Sequence, residues 1–148
     1  MDFALNAEQE EFQRSLRRFL AERSPLSRVR DVVGTDRGWD DQLWAQMSQQ
    51  LGLPSLVVPE EYGGSGATMI EAALVMQELG RGLVPSPYFA TTAFGVVPIL
   101  ELAGEDLKQK LLPEVAAGER TMTTALTEPS GVWGPQGVTL RALAAGDR

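Results

Sequence analysis

The stretch TMIEAALVMQELG, from Thr68 to Gly80, decides how this chain folds. Thr68 is followed three residues later by Glu71, a capping box in which hydroxyl and carboxylate satisfy the backbone N–H groups that a helix start leaves unpaired. From Met69 to Met76 the residues are apolar on most faces, so the helix predicted to run through Leu74, Met76 and Leu79 to Gly80 or Gly82 must be covered by other elements. A helix covered on all sides organises a helical bundle.

The segments on either side supply the cover. Upstream, Leu53 to Gly66 reads as a loop, because Pro54 and Pro59 deny helix continuation and Gly63, Gly64 and Gly66 permit backbone angles that other residues avoid. This glycine cluster lacks both the lysine of a P-loop and the preceding strand of a dinucleotide fingerprint, so its glycines serve turn geometry. Before it, Asp40 or Asp41 caps a helix carrying Leu43, Trp44, Met47 and Leu51, which Gly52 stops. Ser24-Pro25 predicts a cap followed by a proline in the first turn of a short helix through Leu26, Val29, Val32 and Val33. At the N-terminus, Asn6 with Gln9 forms a variant capping box, and Phe12, Leu16, Phe19 and Leu20 make one apolar stripe.

Downstream, Ser86-Pro87 repeats the cap-and-proline start, and an unusually apolar helix follows through Tyr88, Phe89, Phe94, Val96 and Val97 towards Leu102. Pro98 removes a backbone donor inside that pattern and is expected to kink or divide the helix. Glu105 and Asp106 open a last helix through Leu107, Leu111 and Leu112, which Pro113 is expected to restart and Gly118 to end. From Arg120 the pattern changes. Thr121, Thr123, Thr124 and Thr127 favour a strand that Pro129 closes, and Gly137 to Leu143 form one more, with Ala145-Gly146-Asp147 as a turn. The expected fold is mainly α: an up-down helical bundle of about six helices with a short β segment at the C-terminus.

Composition excludes several functions. The 148 residues hold no cysteine and no histidine, which removes thiolate chemistry, disulfides and a Ser/His/Asp triad, and no metal site is expected. A formal charge of −7 argues against a nucleic-acid partner. The local excess of Arg14, Arg17, Arg18, Arg23, Arg28 and Arg30 reads as a solvated helix face, with Glu8, Glu10 and Glu11 at the end the helix dipole favours. No run reaches the roughly 18 apolar residues of a membrane span, and the acidic start is unlike a signal peptide, so a cytoplasmic protein without membrane contact is expected.

Several landmarks recur in a fixed order: Leu51-Gly52-Leu53, Val58-Pro59-Glu60-Glu61-Tyr62-Gly63-Gly64, Glu78-Leu79-Gly80-Arg81, Ala103-Gly104-Glu105 with Lys108, Leu112-Pro113, Gly118-Glu119, and Ala125-Leu126-Thr127-Glu128-Pro129. Together they resemble the acyl-CoA dehydrogenases over nearly the whole chain. The resemblance implies an N-terminal helical domain at 1–119 and the beginning of a middle β-barrel domain at 120–148, left incomplete where the chain ends at Arg148. It implies FAD as cofactor, an acyl-CoA substrate, and homo- or hetero-oligomers with dehydrogenase chains.

Residue by residue, the resemblance places Thr124, Leu126 and Thr127 at the flavin's pyrimidine edge, where a hydroxyl and a backbone N–H would favour the charge that develops on reduction. It points Ser86, Pro87, Ala90 and Phe94 towards the acyl tail. The family's Gly-Ser-Asp element after Glu-Pro is absent, since Ser130, Gly131, Val132, Trp133 and Gly134 follow, so that either Trp133 takes the serine's place or the loop is realigned around Ser130-Gly131. None of Glu60, Glu61, Glu78, Glu101 or Glu128 matches the family's catalytic glutamate. The implied protein is therefore part of a flavoenzyme, with no dehydrogenase activity by itself. Other readings are a non-catalytic helical partner subunit and a truncated product without activity.

Overall fold

The computed structural model describes residues 4–141 and 143. Among them six helical rods form. These are α1 (Ala7–Arg23), α2 (Leu26–Val33), α3 (Asp41–Gln49), α4 (Met69–Arg81), a composite rod of α5 (Tyr88–Thr91) and α6 (Val97–Leu102) joined by a π turn (Thr92–Val96), and α7 (Glu105–Ala116). The helical bundle expected from the apolar patterning is present.

Both capping boxes form, and they are joined. Asn6 Oδ1 accepts from the Gln9 N–H while Gln9 Oε1 accepts from the Asn6 N–H, and Glu71 closes the equivalent box on Thr68. Gln9 Nε2 also donates to Glu71 Oε1 at 2.8 Å, tying the first turn of α1 to the first turn of α4. Eight residues along α1, Arg17 forks onto Glu78 of α4 through Nε at 2.9 Å and NH2 at 2.7 Å. Contacts in the same order along both helices mean that α1 and α4 run parallel. Between them lies the main core, built on Leu16, Leu20, Met47, Val75, Leu79 and Tyr88.

A second core, of Val58, Tyr62, Val96, Leu112 and Val115, joins the 53–66 loop to α6 and α7. The loop holds two short 3-10 turns, Leu53–Ser55 and Glu60–Tyr62, and buries Val58 and Tyr62 against the helices. Tyr62 donates to Glu105 at the start of α7, and burial together with that carboxylate pushes its phenol up to about 12. At the far end of α7, Trp44 Nε1 donates to the Gly118 carbonyl at 3.1 Å. Gly118 has φ +77°, and a Cβ there would stand 2.3 Å from Ser48 Cβ, so only glycine lets the chain turn this close to α3.

Several local expectations differ. Ser24 does not cap α2: it is buried as the C-cap of α1, its N–H donating to Leu20 O, and α2 starts on Pro25 without a side-chain cap. Ser86 likewise provides no cap, because α5 opens on Pro87. Pro113 lies inside an unbroken α7, where the carbonyl it deprives, on Gln109, belongs to an exposed residue that water can satisfy. Finally, residues 120–141 form no strand among the described residues, because strand pairing needs a partner and none lies alongside. The arginine-rich face is also more than solvated, since Arg17 and Arg28 are committed to Glu78 and Asp40.

Glycines at the two ends of this frame respond oppositely to a methyl group. Gly118→Ala is expected to lower stability in urea unfolding by about 2 kcal/mol, through positive φ and the clash with Ser48. Gly80→Ala is expected to raise it by about 1 kcal/mol, since nothing lies within 4 Å of a Cβ on that helical glycine. The Glu71 carboxyl is held down to about 2, against 4.5 ordinarily, by hydrogen bonds from Thr68 and Gln9. A depressed carboxyl stabilises the fold above its unfolded value and loses that contribution as pH falls. Glu71→Ala should therefore flatten the decline in stability between about pH 5 and pH 2, and lower stability at pH 7 by about 1 kcal/mol.

Candidate functional site

The α5–α6 rod carries one half of the candidate site. Pro87 is buried, while Ser86, Ala90 and Phe94 are half-buried. Ser86 lines a mainly apolar cleft of about 270 Å³ between α4 and α5, together with Met76, Leu79, Leu83, Val84 and Phe89. The Phe94 ring meets Phe89 edge-on, with centroids 5.4 Å apart, so Phe94 lies next to that cleft without lining it. Leu83, at its mouth, adopts φ 52°, a left-handed conformation uncommon for a branched residue.

Pro98 stands in the first turn of α6. A π turn over Thr92–Val96 precedes it, with the Val97 N–H reaching back to Thr92 O, and this widening accommodates the proline ring. Pro98 offers no N–H to the carbonyl four residues back, on Phe94. That carbonyl instead accepts from the Thr124 hydroxyl at 2.5 Å. Two further contacts hold the same segment. Met122 N donates to Thr91 Oγ1 at 3.3 Å, and Met122 packs so tightly on Gly95 that a Cβ there would come within 2.8 Å of Met122 Cβ.

The structure thus brings Phe94 and Thr124, one from each predicted set, into direct contact. Thr124 uses its hydroxyl proton on the helix rather than leaving it free. Leu126 and Thr127 follow with exposed side chains, and among the described residues the backbone of 125–127 makes no hydrogen bond. Their N–H and C=O groups are open to an external partner.

Beyond it, Glu128 is drawn inward. Its carboxylate accepts from the N–H and hydroxyl of Thr139 and from the Leu140 N–H, which holds its pKa below the ordinary carboxylate value. This closes a compact loop over 128–140, with Trp133 76% exposed.

None of the carboxylates considered above lines the cleft between α4 and α5. Glu78 is 2% exposed, and hydrogen bonds from Arg17 lower its pKa, the wrong direction for proton abstraction. Glu128 is committed to Thr139 and Leu140, and Glu60, Glu61 and Glu101 are exposed. Tyr88, fully buried behind the site, has its phenol pushed up to about 12 by burial; its hydroxyl lies near Thr92 but meets no partner at hydrogen-bonding geometry. The residues that sequence reasoning missed are Thr91, Gly95 and Met122. Only Pro98 carried a signal, since counting back four residues from it marks the Phe94 carbonyl. No group of His, Cys, Asp or Glu among the described residues could hold a metal ion, and no described helix is long and apolar enough to cross a membrane.

Comparison with known proteins agrees with this geometry. The profile of the family described as acyl-CoA dehydrogenase, N-terminal domain, matches residues 6–119. Acyl-CoA dehydrogenase IpdE2 of Mycobacterium tuberculosis is 43% identical over 90 residues, which are 61% of this chain and 27% of that protein. The acyl-CoA dehydrogenase of Bacillus anthracis, solved in complex with FAD, superposes with a TM-score of 0.74 at 27% identity, covering 85% of this chain and 21% of that one. The Tcur3481–Tcur3483 steroid ACAD superposes with a TM-score of 0.66 at 25% identity, covering 87% of this chain and 34% of that one. The chain thus spans a third or less of the length of IpdE2 and the B. anthracis enzyme. With that profile matched over residues 6–119, well over half of its length, the chain belongs to the acyl-CoA dehydrogenase family.

Proposed function

We propose that this chain supplies the N-terminal helical part of a flavin-dependent acyl-CoA dehydrogenase, forming one wall of the acyl pocket and one edge of the flavin site. The observation that carries this reading is the docking of 122–124 onto the α5–α6 rod, which sets Phe94 of the acyl-tail residues against Thr124 of the flavin-edge residues. FAD, when bound, supplies the hydride acceptor for oxidation of an acyl-CoA at its α and β carbons. The chain's own residues do the positioning. The Thr127 N–H and hydroxyl face the pyrimidine edge, Leu126 packs beside it, and Ser86, Pro87, Ala90 and Phe94 bound the hydrocarbon tail.

The first unit is 1–119, and 120–148 begins a second, β-rich one. The end of the profile match at 119 and the change to irregular backbone after Arg120 support that division. The base must come from outside the residues considered above.

A second reading has its own observation. Residues 129–140 carry no charged side chain, yet Trp133 and Leu140, like Leu126 just before them, are each more than half exposed, a composition suited to burial against dehydrogenase chains in an oligomer. Two-chain assemblies among related structures, the Tcur3481–Tcur3483 steroid ACAD and the ChsE4–ChsE5 complex, support it.

Titrating the purified chain with FAD and following flavin fluorescence tests the first reading. Saturable quenching that weakens about fivefold in Thr127→Ala, the equivalent of one hydrogen bond, is expected. Quenching that is absent, or indifferent to Thr127, removes the flavin-edge assignment. The chain alone is expected to give no acyl-CoA-dependent reduction of an acceptor dye. Light scattering addresses the second reading: self-association that Trp133→Ser abolishes supports a homo-oligomer, and a monomer at all concentrations excludes it.

A further inference from the structure

Pro98 lies outside the segment 122–127 and outside both sets of predicted site residues, yet it determines which groups that segment can bind. A proline at this position removes the N–H that would close the ladder on the Phe94 carbonyl, and its ring crowds that carbonyl away from the helix axis. The π turn over Thr92–Val96 absorbs the crowding. The Phe94 carbonyl accepts from the Thr124 hydroxyl instead.

We propose that Pro98 is a positioning residue for the flavin-edge segment: by taking the Phe94 carbonyl out of the helix ladder, it creates the acceptor on which Thr124 docks. Two other contacts make the docking directional. The Met122 N–H reaches the buried Thr91 hydroxyl, and the bare Cα of Gly95 lets Met122 settle onto the rod. Thr91, Phe94 and Gly95 lie within five residues, so a single helical turn fixes the start of the segment at three points. Residues 125–127 then leave the rod with their backbone groups unspent. The link from docking to flavin rests on the function proposed above; the docking itself does not.

Hydrogen exchange on the whole chain, without flavin, separates the two. The Met122 amide, which donates to Thr91 Oγ1, is expected in Pro98→Ala to exchange about fivefold faster than in the parent, because the substitution restores an N–H that closes the ladder on the Phe94 carbonyl. Thr124→Val is expected to do the same and Thr124→Ser, which keeps the hydroxyl, to match the parent. Pro98→Ala combined with Thr124→Val should be no faster than either alone, since both remove one interaction. Unchanged exchange in Pro98→Ala, or additive effects in the double variant, would overturn the proposal. If exchange responds as expected but FAD quenching is the same in Pro98→Ala and the parent, the docking stands and the flavin-edge assignment fails.

Discussion

The fork between Arg17 and Glu78 constrains everything around it. Glu78 is 2% exposed on a helix whose neighbouring positions, Ala72, Leu74, Val75 and Leu79, are buried and apolar. A carboxylate in such surroundings is tolerated only when paired and hydrogen-bonded in good geometry, and both of its oxygens are used by one guanidinium. Arg17 therefore cannot slide along α4, and α1 lies parallel to it with Leu16 and Leu20 turned into the shared core. The pair is better regarded as a register pin than as a source of net stability, since Arg17 stays partly exposed and burying the Glu78 carboxylate offsets much of the attraction. Once α4 is placed, Val84 and Tyr88 enter the same core and set where the α5–α6 rod begins.

How much of this is legible in the sequence depends on the range of the interactions. Both capping boxes and the covered character of α4 are readable because each depends on residues within one or two turns. The bundle follows from the same local patterning. Ser24 misleads because a serine before a proline suits either neighbouring helix, and the choice depends on burial against residues far away in sequence. Pro113 suggests a break because sequence does not show that the carbonyl it deprives faces solvent. The strand expected from Arg120 depends on a pairing partner, which residue composition cannot supply.

The candidate site divides in the same way. Phe94 and Thr124 are each singled out by resemblance, but nothing in the linear pattern indicates that they touch, because the bond spans 30 residues and depends on a missing N–H. Thr91, Gly95 and Met122 carry no motif at all, and their role arises only where the rod and the segment meet. Trp133 is the opposite case. The absence of the family's Gly-Ser-Asp element around it is visible in the sequence, and the outcome, an aromatic presented by a loop that Glu128 ties shut, needs the structure.

The paired links between α1 and α4 also bear on the route by which the chain reaches this fold. Gln9 and Glu71 are 62 residues apart, Arg17 and Glu78 are 61, so both bonds close nearly the same loop. The entropy of bringing the two helices together is spent on whichever forms first, and the second then adds enthalpy at little further cost in chain freedom. Partially closed states with one link made and the other open are consequently sparse. The two helices should join the native structure as a single cooperative unit, with the intervening α2, α3 and 53–66 loop enclosed in the loop they seal.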